Sequence, residues 1–285
     1  MIIWDMMFDR RVLLRAAVGG VAGSWLGAAG PARAGRPNGA SRRTIYVVGD
    51  STAASYAVAE VPRAGWGQAL PAFLHPKTVV VNEAVSASSS MSFAEVGRLD
   101  RILAVIQPGD VLLISFGHAD ESENPTRHTE PWTTFQEYLC RYVVGARAAR
   151  ALPVLVTPVE RRRFASDGTA FLSHGEYPDA MRALAAATGT PLIDLTALSF
   201  ALWDAVGPEV TKDYFLWLDA GESPKFPDGV SDDTHFQARG AIEVARLVVS
   251  AGRMLPGRDC RALLDPEISE DLLVWLPTRP GPDPL

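Results

Sequence analysis

Short runs of apolar and β-branched residues alternate with longer stretches of helical periodicity from Arg43 onward. Four of the short runs are almost entirely apolar, which is typical of strands covered on both faces. This alternation predicts an α/β fold with three layers (α/β/α) and a mostly parallel five-stranded sheet. The predicted strands are Thr44–Gly49, Thr78–Val85, Val111–Gly117, Pro153–Val159 and Pro191–Leu195. The predicted helices are Gly65–Leu74, Phe93–Ile106, Pro131–Ala151, Tyr177–Thr188 and Phe236–Gly252.

Two local features refine this pattern. Ser92 and Glu95 have the spacing of a capping box, which predicts a helix start at this point. In parallel α/β sheets, ligands bind beyond the carboxyl ends of the strands. Ser51, Ala87 and His118 each follow a predicted strand. We therefore expect these three residues to lie at one edge of the sheet.

The N-terminal segment has the features of an export signal. Arg10-Arg11 precede the weakly apolar run Ala16–Ala29, and Ala32-Arg33-Ala34 fits a cleavage site. These features predict a twin-arginine-type signal peptide over residues 1–34 and a secreted, periplasmic or cell-envelope protein. A membrane anchor is the alternative. It is disfavoured because glycines interrupt the run, which is shorter than the ~20 residues of a spanning helix.

The remaining chain divides into three parts. Residues 35–43 predict a flexible linker, residues 44–252 one folded domain, and the Pro-rich residues 253–285 a C-terminal tail. The two cysteines, Cys140 and Cys260, either form a disulfide that ties the tail to a helix or remain separate thiols.

Composition narrows the choice of partners. The chain has 285 residues and a formal net charge of -6, so it is long enough to bury a sizeable core. No stretch of the mature region supplies the basic face that nucleic-acid binding requires. We therefore predict no nucleic-acid partner and no stable membrane insertion once the signal is removed.

Two motifs at opposite ends of the domain carry the candidate chemistry. Gly49-Asp50-Ser51-Thr52 follows the first predicted strand, and Asp232-Asp233-Thr234-His235 opens the last predicted helical run. A serine hydroxyl becomes a nucleophile when a neutral imidazole takes its proton and a carboxylate orients that imidazole. We predict Ser51 as the nucleophile, His235 as the base and Asp232 as the orienting carboxylate. Asp233 is the competing candidate, and either motif alone is equally consistent with a helix cap.

Backbone donors at the same edge would stabilise an oxyanion. Ser51 is expected at a helix N-terminus, where its own N–H faces the developing negative charge. The N–H of Ala87, in the serine-rich loop after the second strand, is the second candidate donor. His118 stands near Asp120 and Glu121, but this spacing does not match a helical pair of metal ligands. We therefore predict no metal and no other cofactor.

Several motifs in a fixed order make a more specific pattern than any of them alone. The chain resembles the SGNH hydrolases, also called GDSL-type esterases, and within them the rhamnogalacturonan acetylesterases. The resemblance covers Thr44 to Gly252 and implies a flavodoxin-like SGNH hydrolase fold. It also implies a Ser51–His235–Asp232 triad and removal of acetyl groups from pectic polysaccharide without a cofactor. It is carried by Gly49-Asp50-Ser51-Thr52, Asn82-x-Ala84-Val85, Phe116-Gly117-His118-x-Asp120, Thr129-Glu130-Pro131, Val156-Thr157-Pro158-Val159-Glu160-Arg161-Arg162 and Asp232-x-Thr234-His235-Phe236. Within these motifs, Asp50, His118 and Asp120 are predicted to bind substrate.

Two positions depart from the family pattern. Ala87 stands where the family has glycine, and an alanine keeps the N–H donor if the backbone tolerates a Cβ. Ala119 stands where the family has an asparagine whose side chain donates to the oxyanion, and alanine lacks that donor. Loss of one such donor typically lowers turnover by about 10²–10³.

Two alternatives remain open. The substrate is either an acetyl group of a pectic polysaccharide or a different ester: a lysophospholipid, an acyl thioester or a xylan acetyl group. The charged loop with Arg161-Arg162-Arg163 suits sugar hydroxyls or uronate carboxylates better than lipid. The second alternative is a low-activity paralogue that binds carbohydrate, with Tyr214, Phe215, Trp217 and Phe226 either forming a sugar platform or packing the domain edge.

Overall fold

A computed structural model describes residues 43–75 and 77–255. The predicted signal peptide, almost all of the linker, residues 256–285 of the predicted tail and Cys260 therefore lie outside the described residues. The strands are β1 (Thr44–Gly49), β2 (Arg63–Ala64), β3 (Val79–Asn82), β4 (Val111–Ser115), β5 (Leu152–Val156), β6 (Leu192–Ile193), β7 (Phe215–Leu218) and β8 (Val230–Gln237). The α-helices are α1 (Trp66–Ala69), α2 (Ser90–Glu95), α3 (Arg98–Val105), α4 (Gln136–Ala148), α5 (Tyr177–Thr188), α6 (Leu195–Val210) and α7 (Ala238–Gly252).

Five parallel strands form the central sheet, in the order β3-β1-β4-β5-β6. This confirms the predicted sheet and its flavodoxin-like order. In this order β3 lies on one side of β1, and the later strands β4, β5 and β6 follow on the other side. Alternate residues of β1 face opposite layers. Ile45 and Val47 join a core with α1, α6 and α7, whereas Val48 packs with the helices between β3 and β6.

The predicted helix Phe93–Ile106 is two helices in the structure. Gly97 adopts a left-handed conformation, with φ 73°, and separates α2 from α3. The predicted capping box between Ser92 and Glu95 is also wrong by one turn. Ser89 caps α2, because its side chain accepts from the Ser92 N–H while the Ser92 hydroxyl accepts from the Ser89 N–H.

The sequence analysis missed a second, three-stranded sheet with the order β2-β8-β7. Its strands pair antiparallel, with Arg63 opposite Gln237 and Phe215 opposite Phe236. The prediction that Asp232 and His235 open the last helix is therefore wrong. Both residues lie in β8, and α7 begins only at Ala238.

Helix α6 was missed as well. Asp194 ends β6 and caps α6, since its side chain accepts from the Ala197 N–H. This cap shortens the predicted strand Pro191–Leu195 to two residues. Among the described residues, no helix is long and apolar enough to cross a membrane.

Close packing of α7 gives a first prediction. A Cβ at Gly240 would lie 2.1 Å from the carbonyl oxygen of Tyr214, and neither backbone moves easily. We expect Gly240→Ala to lower the free energy of unfolding by about 1–3 kcal/mol, although alanine favours helices. Urea denaturation measures the change.

Gly145→Ala in α4 is the matched control. Its Cβ would meet only the end of the flexible Leu103 side chain, so its stability should stay within about 1 kcal/mol of the parent. Equal destabilisation by the two substitutions would contradict this account of α7.

Candidate active site

Ser51 lies in a tight turn directly after β1. The N–H groups of Ala53 and Ala54 donate to the Asp50 carbonyl, at 3.3 and 3.1 Å. The Asp50 carboxylate closes the turn by accepting from the Thr52 N–H at 2.9 Å and the Thr52 hydroxyl at 2.7 Å. The predicted helix N-terminus at Ser51 is wrong, because the chain forms a turn here and α1 begins only at Trp66.

The second sheet brings His235 to this turn. The Trp66 N–H donates to the Thr52 carbonyl at 2.9 Å, and Gly65 approaches Ala54 so closely that a Cβ would lie 2.2 Å from its carbonyl oxygen. The adjoining strand β2 pairs with β8, which carries His235. As a result, His235 Nε2 lies 2.9 Å from Ser51 Oγ, although the two residues are 184 positions apart.

Asp232 fixes the other side of the imidazole. Its Oδ2 lies 2.7 Å from His235 Nδ1, and its Oδ1 accepts from the N–H groups of Thr234 and His235 at 2.8 and 2.9 Å. Burial opposes the charge on this carboxylate, but the bonds from His235 and Thr234 outweigh it and lower the pKa of Asp232 to about 2. Asp232 is therefore ionised at neutral pH and can hold one tautomer of His235.

Asp233, the competing candidate, lies on the opposite face of β8, as the alternation of a strand requires. Its Oδ1 accepts from Arg162 and Trp217, and its Oδ2 accepts from Arg163. Arg162 also donates to the Pro208 carbonyl and lies over the Trp217 ring at 4.5 Å. These contacts join the loop after β5 to strand β8. Arg162 and Asp233 therefore stabilise the packing of that loop against the strand.

The carboxylates of Asp50 and Asp120, two of the residues predicted to bind substrate, are both buried. Asp120 has no exposed surface and accepts from the main-chain N–H and the hydroxyl of Ser90 and from the Thr129 hydroxyl. Asp50 is 2% exposed, and its carboxylate accepts hydrogen bonds from the N–H and the hydroxyl of Thr52. Burial opposes ionisation of Asp50, but His118 and Thr52 lower the pKa of its carboxyl below the ordinary value.

His118 belongs to a buried group behind the nucleophile turn. Its Nδ1 lies 3.4 Å from Asp50 Oδ2, and its ring packs edge-on against His174 at 4.4 Å. Burial lowers the pKa of His118 to about 4, so its imidazole is neutral at pH 7. His174 contacts Glu121, which also pairs with Arg161 at 2.8 Å. The side chain of His118 is 5% exposed, and the residue as a whole is partly exposed.

Ala87 has a left-handed backbone, with φ 62°, and lies exposed in the loop after β3. Among the residues that the structure describes, the N–H groups of Ser51 and Ala87 donate no hydrogen bond within the chain. Unpaired N–H groups are the donors that an oxyanion hole requires. Ala119 is 7% exposed and lies in the turn after β4, where its carbonyl accepts from the Ser122 N–H at 3.2 Å.

Sequence reasoning missed Tyr56. Its hydroxyl donates to the Ser51 carbonyl at 2.7 Å and lies 3.1 Å from Ser86 Oγ. The residue stands in an irregular segment five positions after the nucleophile, and no motif singled it out. Only the fold brings the loop that contains Ser86 to the same place.

The aromatic residues of the late loops mostly pack the domain edge. Tyr214 and Phe215 are buried, and Trp203 contacts both rings. Trp217 is partly covered by Arg162 and Lys212. This arrangement does not offer a flat, exposed platform of these side chains for a sugar ring.

Comparison with known proteins places this geometry in a family. Residues 47–241 match the model of the GDSL-like Lipase/Acylhydrolase family. The chain belongs to this family. It is 45% identical over 204 residues to the rhamnogalacturonan acetylesterase RhgT of Bacillus subtilis (strain 168), covering 72% of this chain and 87% of RhgT. It is 41% identical over 208 residues to the probable rhamnogalacturonan acetylesterase YesY of the same organism, covering 72% and 89%.

Solved structures agree with the fold. The structure of YxiM from Bacillus subtilis has a TM-score of 0.64 and 34% identity, and the match covers 75% of this chain and 57% of that one. An acetylxylan esterase from Geobacillus stearothermophilus, Axe2, shares the fold at 13% identity and a TM-score of 0.52, covering 73% and 93%. As a member of the GDSL-like family with these relatives, the chain is a carboxylic ester hydrolase.

The buried Asp120 gives a prediction about pH. Burial raises its pKa to about 7, although Ser90 and Thr129 act in the opposite direction. A carboxyl whose pKa is higher in the folded than in the unfolded chain stabilises the fold at low pH, and this contribution is lost as the pH rises through 7. Relative to Asp120→Asn, the parent should lose on the order of 2 kcal/mol of unfolding free energy between pH 5 and pH 8.

Urea denaturation across this pH range tests the expectation, with exposed Asp100→Asn as the matched control. The control curve should run parallel to that of the parent. A parallel curve for Asp120→Asn as well would show that Asp120 keeps its charge throughout.

Proposed function

We propose that this chain is a serine acetylesterase that removes acetyl groups from a rhamnogalacturonan-like polysaccharide. The observation that carries the proposal is the continuous contact from Ser51 Oγ to His235 Nε2, at 2.9 Å, and from His235 Nδ1 to Asp232 Oδ2, at 2.7 Å. The relative RhgT is a rhamnogalacturonan acetylesterase, which supports the choice of substrate. Acetylated pectic polysaccharide is therefore the proposed partner.

The proposed chemistry proceeds in two steps. His235 takes the hydroxyl proton of Ser51 as the oxygen attacks the acetyl carbon, and the N–H groups of Ser51 and Ala87 stabilise the resulting oxyanion. Collapse of this intermediate breaks the ester bond, and the sugar oxygen leaves with the proton from His235. Water, deprotonated by His235, then attacks the acetyl–Ser51 ester. The bond between the acetyl carbon and Ser51 Oγ breaks, His235 returns the proton to Ser51 Oγ, and acetate is released. Asp232 keeps Nε2 of His235 unprotonated at the start of each step.

Export is part of the same proposal. A polysaccharide substrate lies outside the cytoplasm, and the twin-arginine-type signal predicted over residues 1–34 would deliver a folded enzyme there. The reaction as proposed needs no metal or organic cofactor, because the nucleophile, base and oxyanion donors all belong to the protein.

Removal of the nucleophile is the direct test of function. We expect Ser51→Ala to lower acetate release from acetylated rhamnogalacturonan by at least about 10³-fold, because Ser51 supplies the hydroxyl that contacts His235 Nε2 among the described residues. Acetylated xylan and p-nitrophenyl octanoate are assayed in parallel, and the rhamnogalacturonan ester should be the best substrate.

Ser55→Ala is the matched control, since Ser55 Oγ contacts Asn82. It should retain the activity of the parent. Undiminished turnover by Ser51→Ala would remove Ser51 from the mechanism, and a preference for octanoate would identify a lipid-type esterase.

Ala119 gives a second test of the same site. An asparagine at this position would restore the side-chain donor that the family pattern contains, so we expect Ala119→Asn to raise kcat by at least about tenfold. Ala119→Asp has nearly the same size but presents no amide donor, and it should not raise kcat. If both variants stay at the parent rate, the missing donor does not limit this enzyme.

A further inference from the structure

The Tyr56 phenol spans the gap between the two loops that supply the candidate oxyanion donors. One loop follows β1 and contains Ser51, and the other follows β3 and contains Ser86 and Ala87. The Tyr56 hydroxyl donates to the Ser51 carbonyl at 2.7 Å and lies 3.1 Å from Ser86 Oγ, which is then the donor to the phenol oxygen. One hydroxyl therefore joins the nucleophile to the residue directly before Ala87.

Tyr56 is itself held in place. Its N–H donates to the Gln68 side-chain oxygen at 3.1 Å, and the Gln68 amide donates back to the Tyr56 carbonyl at 3.3 Å. The Arg63 guanidinium lies over the phenol ring, 5.6 Å from its centre. Burial raises the pKa of Tyr56, so the hydroxyl stays protonated and remains a donor.

Ala87 needs such support because its backbone is left-handed, with φ 62°. An alanine in this region is less stable than in the extended or right-handed regions, whereas a glycine adopts it freely. Two hydrogen bonds flank Ala87. The Tyr56 hydroxyl contacts the side chain of Ser86, the preceding residue, and Arg127 makes a long bond of 3.5 Å to the Ala87 carbonyl. A turn bond from the Ser88 N–H to the Val85 carbonyl closes the loop.

We propose that Tyr56 is a positioning residue that holds the Ser51 turn and the left-handed Ala87 in register, so that their N–H groups point at one oxyanion. This inference rests on the proposed function and adds a residue to it. Tyr56 acts through Ser51 and Ser86 and does not contact the reacting atoms. Its contribution is expected to be largest in a chain with alanine at position 87, because the left-handed backbone has a steric cost for alanine that it does not have for glycine.

The test measures Tyr56→Phe in two backgrounds, the parent and Ala87→Gly, with p-nitrophenyl acetate as substrate. In the parent background we expect kcat to fall about tenfold with KM within about twofold, since the donors act on the transition state. In the Ala87→Gly background the loss caused by Tyr56→Phe should be at least about threefold smaller, because glycine no longer needs the restraint. Equal losses in the two backgrounds would overturn the proposal.

A second variant approaches the same hydrogen bond from its other end. Ser86→Ala should lower kcat in the same direction, and the double variant with Tyr56→Phe should be no slower than Tyr56→Phe alone. Losses that multiply would show that the two hydroxyls act separately, against the proposal. Because Ser86 is exposed, this variant remains informative even if Tyr56→Phe folds poorly.

Tyr138→Phe is the matched control for loss of a phenol hydroxyl. The Tyr138 hydroxyl contacts Glu95 on an exposed part of the domain, and its removal should leave kcat unchanged. Failure of the function itself has a different signature: a parent without esterase activity, or an active Ser51→Ala. An active parent, an inactive Ser51→Ala and an unaffected Tyr56→Phe would overturn the role of Tyr56 alone.

Discussion

The candidate site depends on one packing constraint, the close approach of Gly65 to the turn that carries Ser51. A side chain at Gly65 would lie 2.2 Å from the Ala54 carbonyl, so only glycine lets β2 pack against this turn. Strand β2 has two residues, but its pairing with β8 determines where His235 lies relative to β1. The parallel sheet alone would present Ser51 at its edge without a base. The small antiparallel sheet adds the base and its carboxylate.

Charge is distributed unevenly around the contact between Ser51 and His235. Asp232 is partly exposed and ionised. In the proposed mechanism it stabilises the imidazolium that forms when His235 takes a proton. Behind the turn, the buried carboxylate of Asp50 accepts from the Thr52 N–H, and the neutral His118 lies 3.4 Å from that carboxylate. The site therefore combines a charged, accessible face that does the chemistry with a buried polar layer that fixes the geometry. The loop with Ala87 lies outside this buried layer. Tyr56 contacts it at the Ser86 side chain, and Arg127 contacts it at the Ala87 carbonyl.

The sequence predicted those features that depend on local pattern. Apolar runs identified the five parallel strands, and motif order identified Ser51, Asp232 and His235. The failures have physical causes. Strand β8 carries polar residues at six of its eight positions and is mostly only partly buried, so it lacked a strand pattern, and Asp232 and His235 were assigned to a helix. The complete burial of Asp120 could not be predicted from its motif, because burial is a tertiary property. Tyr56 and Gly65 matter through contacts that no spacing reveals.

The central claim is that the contact with His235 makes the Ser51 hydroxyl a nucleophile. A fluorophosphonate probe reacts only with an activated serine, and mass spectrometry of the digested protein identifies the residue that carries the adduct. The account predicts a single adduct on Ser51 in the parent and a rate of labelling at least about 10³-fold lower in His235→Ala. An adduct on another residue, or labelling of Ser51 at the parent rate without His235, would contradict it.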